Sequence, residues 1–410
     1  MITTSTASTT GSRLDQFEAS GATPLLSVPV QPGRKPLNVL FIIDELCESG
    51  GAERWLLKIV RLLPKDCFRC QLLTFKIDRT GIFADIPCPV HVFKLGRTYD
   101  LNAVKVAWKL RGLLRSEKID VVTTLFETSD LWAGPLARLF GVPVLVSSRR
   151  DMGILRGRKH QLAYRVISRM FDAVLTVSEK VREFCLANEH VRPERVITLY
   201  NGVDLADFTT EKHSSLRTRL GVSAATPLIA TVGHLRHVKG VDTFIEAAAR
   251  VHREFPEAVF LVVGDPTDAG YAKQLRELCE SLQLGDSVRF LGNVPEVSSL
   301  LVECDIFCLP SRSEGFSNAL VEAMACGLPC VATRVGGNDE AVLDKVSGFI
   351  VPPEEPESMA DRILRLLHDP SLRQQFGDAA RSAVEEKFTD DVMIHQLSQL
   401  YTTLAEAKHA

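Results

Sequence analysis

The sequence predicts an α/β protein made of two doubly wound domains facing each other across a cleft. Three observations carry that prediction. Short apolar runs suited to buried strands alternate with amphipathic stretches from Asn38 onward, and such alternation specifies parallel sheets covered by helices on both faces. The alternation restarts near residue 206, after an Asn-Gly-containing link. At 410 residues the chain is long enough for two independent cores.

Residues 1–36 are rich in Ser, Thr, Gly and Pro and show no periodicity, so they read as a flexible tail. The first domain, 37–205, opens with a strand at Asn38–Asp44 (NVLFIID), a glycine turn and an amphipathic helix at Arg54–Leu63. Strand, Gly-Gly, helix is a Rossmann-like opening, and Gly50–Gly51 serve either packing alone or a ligand's phosphates. Further strands are expected at Cys70–Lys76, Val90–Leu95, Val121–Leu125, Val144–Ser148, Ala173–Val177 and Val196–Tyr200. Between them the helix Ala103–Arg115 is basic on one side, through Lys105, Lys109, Arg111 and Arg115.

The second domain, 206–387, starts with a strand at Leu228–Val232, the loop GHLRHVKG and a helix at Asp242–Phe255. Strands follow at Ala258–Gly264, Val288–Leu291, Ile306–Leu309, Cys330–Val335 and Phe349–Val351. Residues 388–410 hold one helix more than this domain needs, from Phe388 to about Ala407.

The stretch Cys304–Val342 is the most informative about chemistry. After the strand Ile306–Leu309 comes a short loop, SRSEGF, in which Gly315 lets the backbone approach a ligand closely. Ser317 or Asn318 can cap the next helix, whose free N–H groups and positive dipole end suit a phosphate. Glu314 lies in the loop, and Glu322 lies in the helix four residues after Asn318, on the same face. Either these are a capping and a surface carboxylate, or they hold a ligand, one on a sugar and the deeper one on a ribose. Arg236 and Lys239 sit between the strand Leu228–Val232 and a helix, where a guanidinium can fork across phosphate oxygens and an ammonium acts as a mobile charge. His234 and His237 read as loop residues.

SEGFSNALVEAMACGLPCVAT followed by GG resembles the E-x7-E signature of retaining glycosyltransferase family 4, whose members share the GT-B fold. The resemblance extends from Asn38 to about Asp390, through a GGxE segment at Gly50, Gly51 and Glu53, the link NGVD at 201–204, and the pair Arg236 and Lys239. It implies a transferred sugar on Glu314, a ribose on Glu322, and a diphosphate on Arg236 and Lys239. The backbone of Gly315, Phe316, Ser317, Asn318 and Ala319 would contact sugar and diphosphate, and Gly50 and Gly51 the donor phosphates. Glu314, Arg236 and Lys239 are the implied catalytic set, and the terminal helix would cross back to the first domain.

By the same resemblance the chain would move a hexose from a nucleotide-diphosphate sugar, UDP in preference to GDP, to a glycan or lipid-linked acceptor. Members that build exopolysaccharide and lipid-linked glycans are the nearest in kind. Neither a metal nor a separate cofactor is expected, since no D-x-D element stands at a strand end. A nucleotide-sugar epimerase of the same fold and an inactive nucleotide-sugar-binding module stay open. Intact Glu314, Glu322, Arg236 and Lys239 favour transfer. One departure concerns the His that many members carry after the fourth strand of the first domain. Here DVVTTLFETSD and SSRRD offer none, leaving Glu127 or Arg149 as substitutes.

Composition narrows the setting. With 45% apolar and 24% charged residues the chain is ordinary for a water-soluble globular protein, and no apolar run approaches the ~18 residues a spanning helix needs. No signal-peptide pattern opens the chain, so a cytoplasmic location is expected. The ten cysteines fall mostly in apolar segments, and a lone C-x-x-C at Cys67–Cys70 has no partner set, so reduced thiols are expected. Residues 1–205 hold 29 Lys+Arg against 21 Asp+Glu (+8) and residues 206–410 hold 19 against 30 (−11). A basic first half meeting an anionic partner follows, a membrane surface or lipid diphosphate rather than nucleic acid. Arg149–Arg169, with seven cations and one acid, is the expected contact.

Overall fold

The computed structural model describes residues 35–47, 50–78, 83–153, 157–211 and 215–409. The tail read from residues 1–36 lies almost wholly outside them. The first sheet has seven parallel strands: β1 (Leu37–Leu46), β2 (Phe68–Ile77), β3 (Val90–Val92), β4 (Val121–Leu125), β5 (Val144–Arg149), β6 (Ala173–Thr176) and β7 (Val196–Thr198). Their order is β3-β2-β1-β4-β5-β6-β7, so the chain reverses direction beside β1. Central β1 has Val39 to Ile43 fully buried, because helices cover both faces and leave no solvent side for alternation.

One face of this sheet is covered by α1 (Gly51–Leu62) together with α14 (Asp390–His409), whose Met393, Leu397, Leu400 and Tyr401 share a core with Val39, Phe41, Trp55 and Ile59. The chain's last helix therefore packs on its first sheet. Lys58 of α1 donates to the Gly202 carbonyl at 2.8 Å and to Asp390 at 2.9 Å, and Lys408 pairs with Asp172 at 2.8 Å. The other face carries α2 (Leu101–Ser116), α3 (Gly134–Leu139), α4 (Arg158–Ile167) and α5 (Glu179–Asn188).

The second sheet has six parallel strands: β8 (Leu228–Val232), β9 (Val259–Val263), β10 (Val288–Gly292), β11 (Ile306–Leu309), β12 (Cys330–Thr333) and β13 (Gly348–Val351), in the order β10-β9-β8-β11-β12-β13. Its helices α6 (Ser215–Leu220), α7 (Val241–Glu254), α8 (Ala269–Ser281), α9 (Val297–Leu301), α10 (Asn318–Ala325), α11 (Asn338–Ala341), α12 (Pro356–His368) and α13 (Pro370–Lys387) bury apolar faces on both sides. The two-domain α/β fold expected from the alternation is the fold observed.

Several strand bounds differ from the sequence reading, β7 for one stopping at Thr198 rather than Tyr200. β3 stops at Val92 rather than Leu95, and β12 stops at Thr333 rather than Val335. Thr333 turns its hydroxyl back onto the Ser311 carbonyl at 2.6 Å, and the chain then bends through Gly336 at φ 52°. That bend aims Gly336–Gly337 at the loop before α10, where an added Cβ on Gly336 would sit 2.0 Å from the Glu314 carbonyl. No disulfide joins any of the ten cysteines.

Candidate active site

The loops at the carboxyl ends of β1, β8 and β11 meet between the domains, the edge at which doubly wound sheets bind ligands. After β8 the chain makes one helical turn, His237–Lys239, and reaches Gly240 at φ 62°. A Cβ there would lie 2.1 Å from the Pro310 carbonyl, so glycine is what lets the loop after β8 press against the end of β11. Arg312 pins the two loops together, donating to the His237 carbonyl at 2.8 Å and to both oxygens of Asp242 at 2.8 and 2.7 Å.

This scaffold brings Lys239 and Glu314 together. The Lys239 ammonium donates to Glu314 Oε1 at 2.7 Å, and the Ser311 hydroxyl donates to the same oxygen at 2.6 Å. Glu314 keeps 8% of its side-chain surface and Lys239 keeps 29%, so the ammonium is the member of the pair open to a ligand. Arg236 stands exposed on the same loop, its Nε donating to Thr267 Oγ1 at 3.0 Å. Burial, and then the Arg236 charge, push the pKa of His234 below its ordinary value, so it is neutral near pH 7. Its Nδ1 is buried with no hydrogen-bond partner.

The run 315–319 divides by role. Ser317 caps α10, accepting from the Leu320 N–H at 3.4 Å. Phe316 is buried against the rings of Tyr200 and Phe388, so its side chain anchors the loop. Gly315 lies under the Arg150 carbonyl, 2.4 Å from where a Cβ would be. Asn318 receives a hydrogen bond from Asn201 of the interdomain link. The Asn318 amide also faces Gly51, at 3.6 Å from a Cβ built there, which puts the first glycine turn opposite the α10 N-terminus. Gly50 caps α1, with Glu53 folded back over it.

Glu322 is half-buried on α10. Burial raises its pKa above the ordinary 4.5, and the Arg54 and Lys58 charges on α1 partly offset the rise. No side-chain metal cluster of three or more His, Cys, Asp or Glu occurs among the described residues.

The two expected substitutes for the missing His differ in their surroundings. Glu127 follows β4 and pairs with His160 at 3.0 Å, half-exposed. Arg149 is fully buried behind the sheet, donating to Asp130 at 2.7 Å and to Glu189 at 2.9 Å. Burial opposes its charge, but those two carboxylates outweigh it and hold its pKa well above the usual value. Arg149 is thus a core counter-ion, neither donor-facing nor part of a basic surface. Arg156, from the same stretch, lies outside the described residues.

Two residues not singled out from the sequence join the site. Arg150, one position on from Arg149, stacks over Trp55 at 4.2 Å, donates to Asn201, and leaves its buried Nε without a partner. Burial lowers its pKa to about 9, so it remains cationic at neutral pH. Glu340 of α11 crosses to the first domain, accepting from the Glu179 and Lys180 N–H groups at 2.7 and 2.8 Å and from the Tyr200 hydroxyl at 2.9 Å. The doublet in SSRRD marked Arg150, though without separating it from Arg149. Nothing local marked Glu340.

Two family models match, Glycosyltransferase Family 4 over residues 49–207 and Glycosyl transferases group 1 over residues 214–383. The chain is 32% identical over 215 residues to N-acetyl-alpha-D-glucosaminyl L-malate synthase of Bacillus anthracis, covering 52% of this chain and 55% of that protein. It is 31% identical over 296 residues to D-inositol 3-phosphate glycosyltransferase of Thermobifida fusca, covering 66% and 68%. Among solved structures, Anabaena HepE in complex with UDP superposes with a TM-score of 0.79 at 23% identity, over 90% of this chain and all of that one. Sucrose-phosphate synthase of Thermosynechococcus elongatus gives 0.78 at 20% identity, over 90% and 100%. Those two likenesses show the GT-B fold. With paired domain models, and a relative aligned over two thirds of its length, the chain belongs to the group 1, family 4 glycosyltransferases.

Proposed function

We propose that the protein is a retaining glycosyltransferase that moves a hexose from a UDP-sugar to an acceptor bearing an anionic group. The Lys239–Glu314 pair at the mouth of α10 is the observation that carries this reading. With the donor absent, Glu314 holds Lys239 in place. A bound diphosphate offers the ammonium a second anion, and Glu314 is then available to a sugar hydroxyl. As the bond from the anomeric carbon to the diphosphate oxygen breaks, negative charge grows on the leaving group. Lys239, Arg236 and the α10 N-terminal N–H groups take up that charge, each such preorganised donor contributing several kcal/mol. The acceptor hydroxyl adds to the same face of the carbon, and its proton leaves with the diphosphate.

Retention and the choice of uridine rest on the E-x7-E resemblance, and the UDP named with the HepE structure supports the base. Charge neutralisation by Lys239 and Arg236 leaves no step that calls for a metal, so activity is expected to survive EDTA. The anionic acceptor is supported by Arg150, a cation that stacks over Trp55 of the first domain and whose buried Nε has no hydrogen-bond partner. The relatives' names carry L-malate and inositol 3-phosphate, both anions, and a lipid diphosphate shares that chemistry.

Incubation with UDP- and GDP-sugars and each acceptor class, with the product's anomeric configuration read by proton NMR, tests the proposal. A product of retained configuration made from UDP-sugar supports it, an epimerised donor sinks it, and no turnover with any donor points to a binding module. Arg236→Ala is expected to lower kcat/KM on the order of 10²-fold, and near-wild-type turnover in a folded variant would remove that residue from the site.

A further inference from the structure

We propose that the helical face formed by α2, α3 and α4 docks the protein onto an anionic lipid bilayer. α2 has two apolar sides. Ala103, Val106, Leu110, Leu113 and Leu114 are buried on the sheet, as a covered helix requires. On the outer side Leu101, Val104 and Trp108 recur at helical spacing and are exposed, Leu101 at 82% and Trp108 at 62%. Tyr99, just before the helix, is equally open.

Between α2 and α3 runs an open groove of about 670 Å³, into which Trp132, Leu136 and Phe140 also turn. Leu139 on α3 and Leu162 and Val166 on α4 extend the exposed apolar residues along the same side of the sheet. A single exposed leucine needs no explanation, but a run across three adjacent helices marks an interaction surface.

Charge selects the occupant. From Lys94 to Lys118 there are seven cations and two acids. Both acids are already engaged, Asp100 in capping α2 through the Ala103 N–H at 2.8 Å and Glu117 in accepting from Gln71 at 3.0 Å. Lys105 and Lys109 flank the apolar stripe in solvent, Arg111 stacks over Trp108 at 5.1 Å, α4 adds exposed Lys159 and Arg165, and the turn after it adds exposed Arg169. Exposed Trp, Tyr and Leu interleaved with Lys and Arg match the headgroup region of an anionic bilayer, where rings and stems sink and cations stay at the phosphates.

A second copy of the chain would set this cationic face against itself, which like charge disfavours. No helix among the described residues is long and apolar enough to cross a membrane, so the mode is lying on the surface. α2 begins at the carboxyl edge of the first sheet, the edge that opens to the cleft, so docking would hold the acceptor side close to the bilayer.

Sedimentation with vesicles of phosphatidylcholine alone, or mixed with phosphatidylglycerol, tests this. The full chain should bind the mixed vesicles at low salt and release as salt rises, with a blue shift of tryptophan emission that Trp108→Phe abolishes. Lys105→Ser/Lys109→Ser should weaken binding about 25-fold, at about fivefold per cation. Leu101→Ser/Trp108→Ser should reduce it further while leaving the melting temperature and transfer to a water-soluble acceptor unchanged, because both side chains lie outside the cleft and the core. That control separates failure of docking from failure of the proposed transfer. The proposal falls if the wild type ignores mixed vesicles, binds neutral ones equally well, or binds undiminished in both variants. It falls equally if sedimentation velocity shows a dimer that Leu101→Ser/Trp108→Ser dissolves.

Discussion

Arg149 and Arg150 are adjacent, identical in type, and opposite in fate. Arg149 closes a buried network in which Asp130 also accepts from Tyr164 at 3.0 Å and Glu189 from Ser168 at 2.9 Å. Removing the cation would leave two buried carboxylates uncompensated, so Arg149→Met should cost about 3–5 kcal/mol of stability, read from denaturant unfolding. Arg150→Met should leave stability near wild type and instead raise KM for the acceptor, with donor KM little changed. Equal effects of both variants on unfolding would contradict the assignment. A strand end alternates its side chains between faces, and that alternation is why neighbours part company here.

Glu322 makes a prediction in pH. If Glu322 holds the ribose, as the E-x7-E resemblance implies, its carboxylate form is the one that accepts the hydroxyls, and burial raises its pKa above 4.5. Protonation on acidification therefore begins earlier than for an exposed glutamate, and UDP affinity should decline correspondingly as pH falls from neutrality. Calorimetry across that range should show the decline in the wild type and a flattened profile in Glu322→Gln. A wild-type affinity that stays level to acid pH would take the ribose away from Glu322.

At the scale of elements, the site is held by close contacts between loop backbones. Gly240 has φ 62° and faces the Pro310 carbonyl, so Gly240→Ala is strained by its dihedral and by contact together. The substitution should displace Lys239 relative to Glu314 and lower kcat/KM on the order of 10²-fold, as misplacement by about an ångström can. Steady-state kinetics beside a melting curve would check it, and a folded variant of normal activity would show that the loop tolerates the shift. α2 teaches a related lesson. The sequence reads this helix as basic on one side, and only the packed sheet reveals that Leu101, Val104 and Trp108 are left uncovered beside those cations.

At the scale of the whole molecule, polar contacts join the domains, among them the Ser178 hydroxyl to the Gly315 carbonyl at 2.9 Å, Asn201 to Asn318, and Glu340 at the N-terminus of α5. Glu340 places an anion on free N–H groups at a positive dipole end, an arrangement contributing about 0.3–2 kcal/mol. Glu340→Ala should open the cleft when no donor is present, seen as a larger radius of gyration in small-angle scattering that UDP-sugar partly reverses. An unchanged scattering curve would mean that the aromatic contacts of Tyr200, Phe316 and Phe388 suffice to keep it closed.

By itself, the sequence determined the two-sheet architecture, because buried parallel strands must read as apolar runs and their covering helices as amphipathic ones. It also marked the loops that converge on the cleft, through glycines placed where backbone conformation or close approach permits no side chain. Those signals are local, written within a few residues of the atoms they constrain. The tertiary structure decided what depends on residues far apart in the chain. Lys239 meets Glu314 across two strands, Arg149 finds Asp130 and Glu189, and Glu340 reaches α5 some 160 positions away. Whether a charge is a ligand-binding group, a counter-ion or a tie between domains depends on which charges face it. Only the fold brings those partners together.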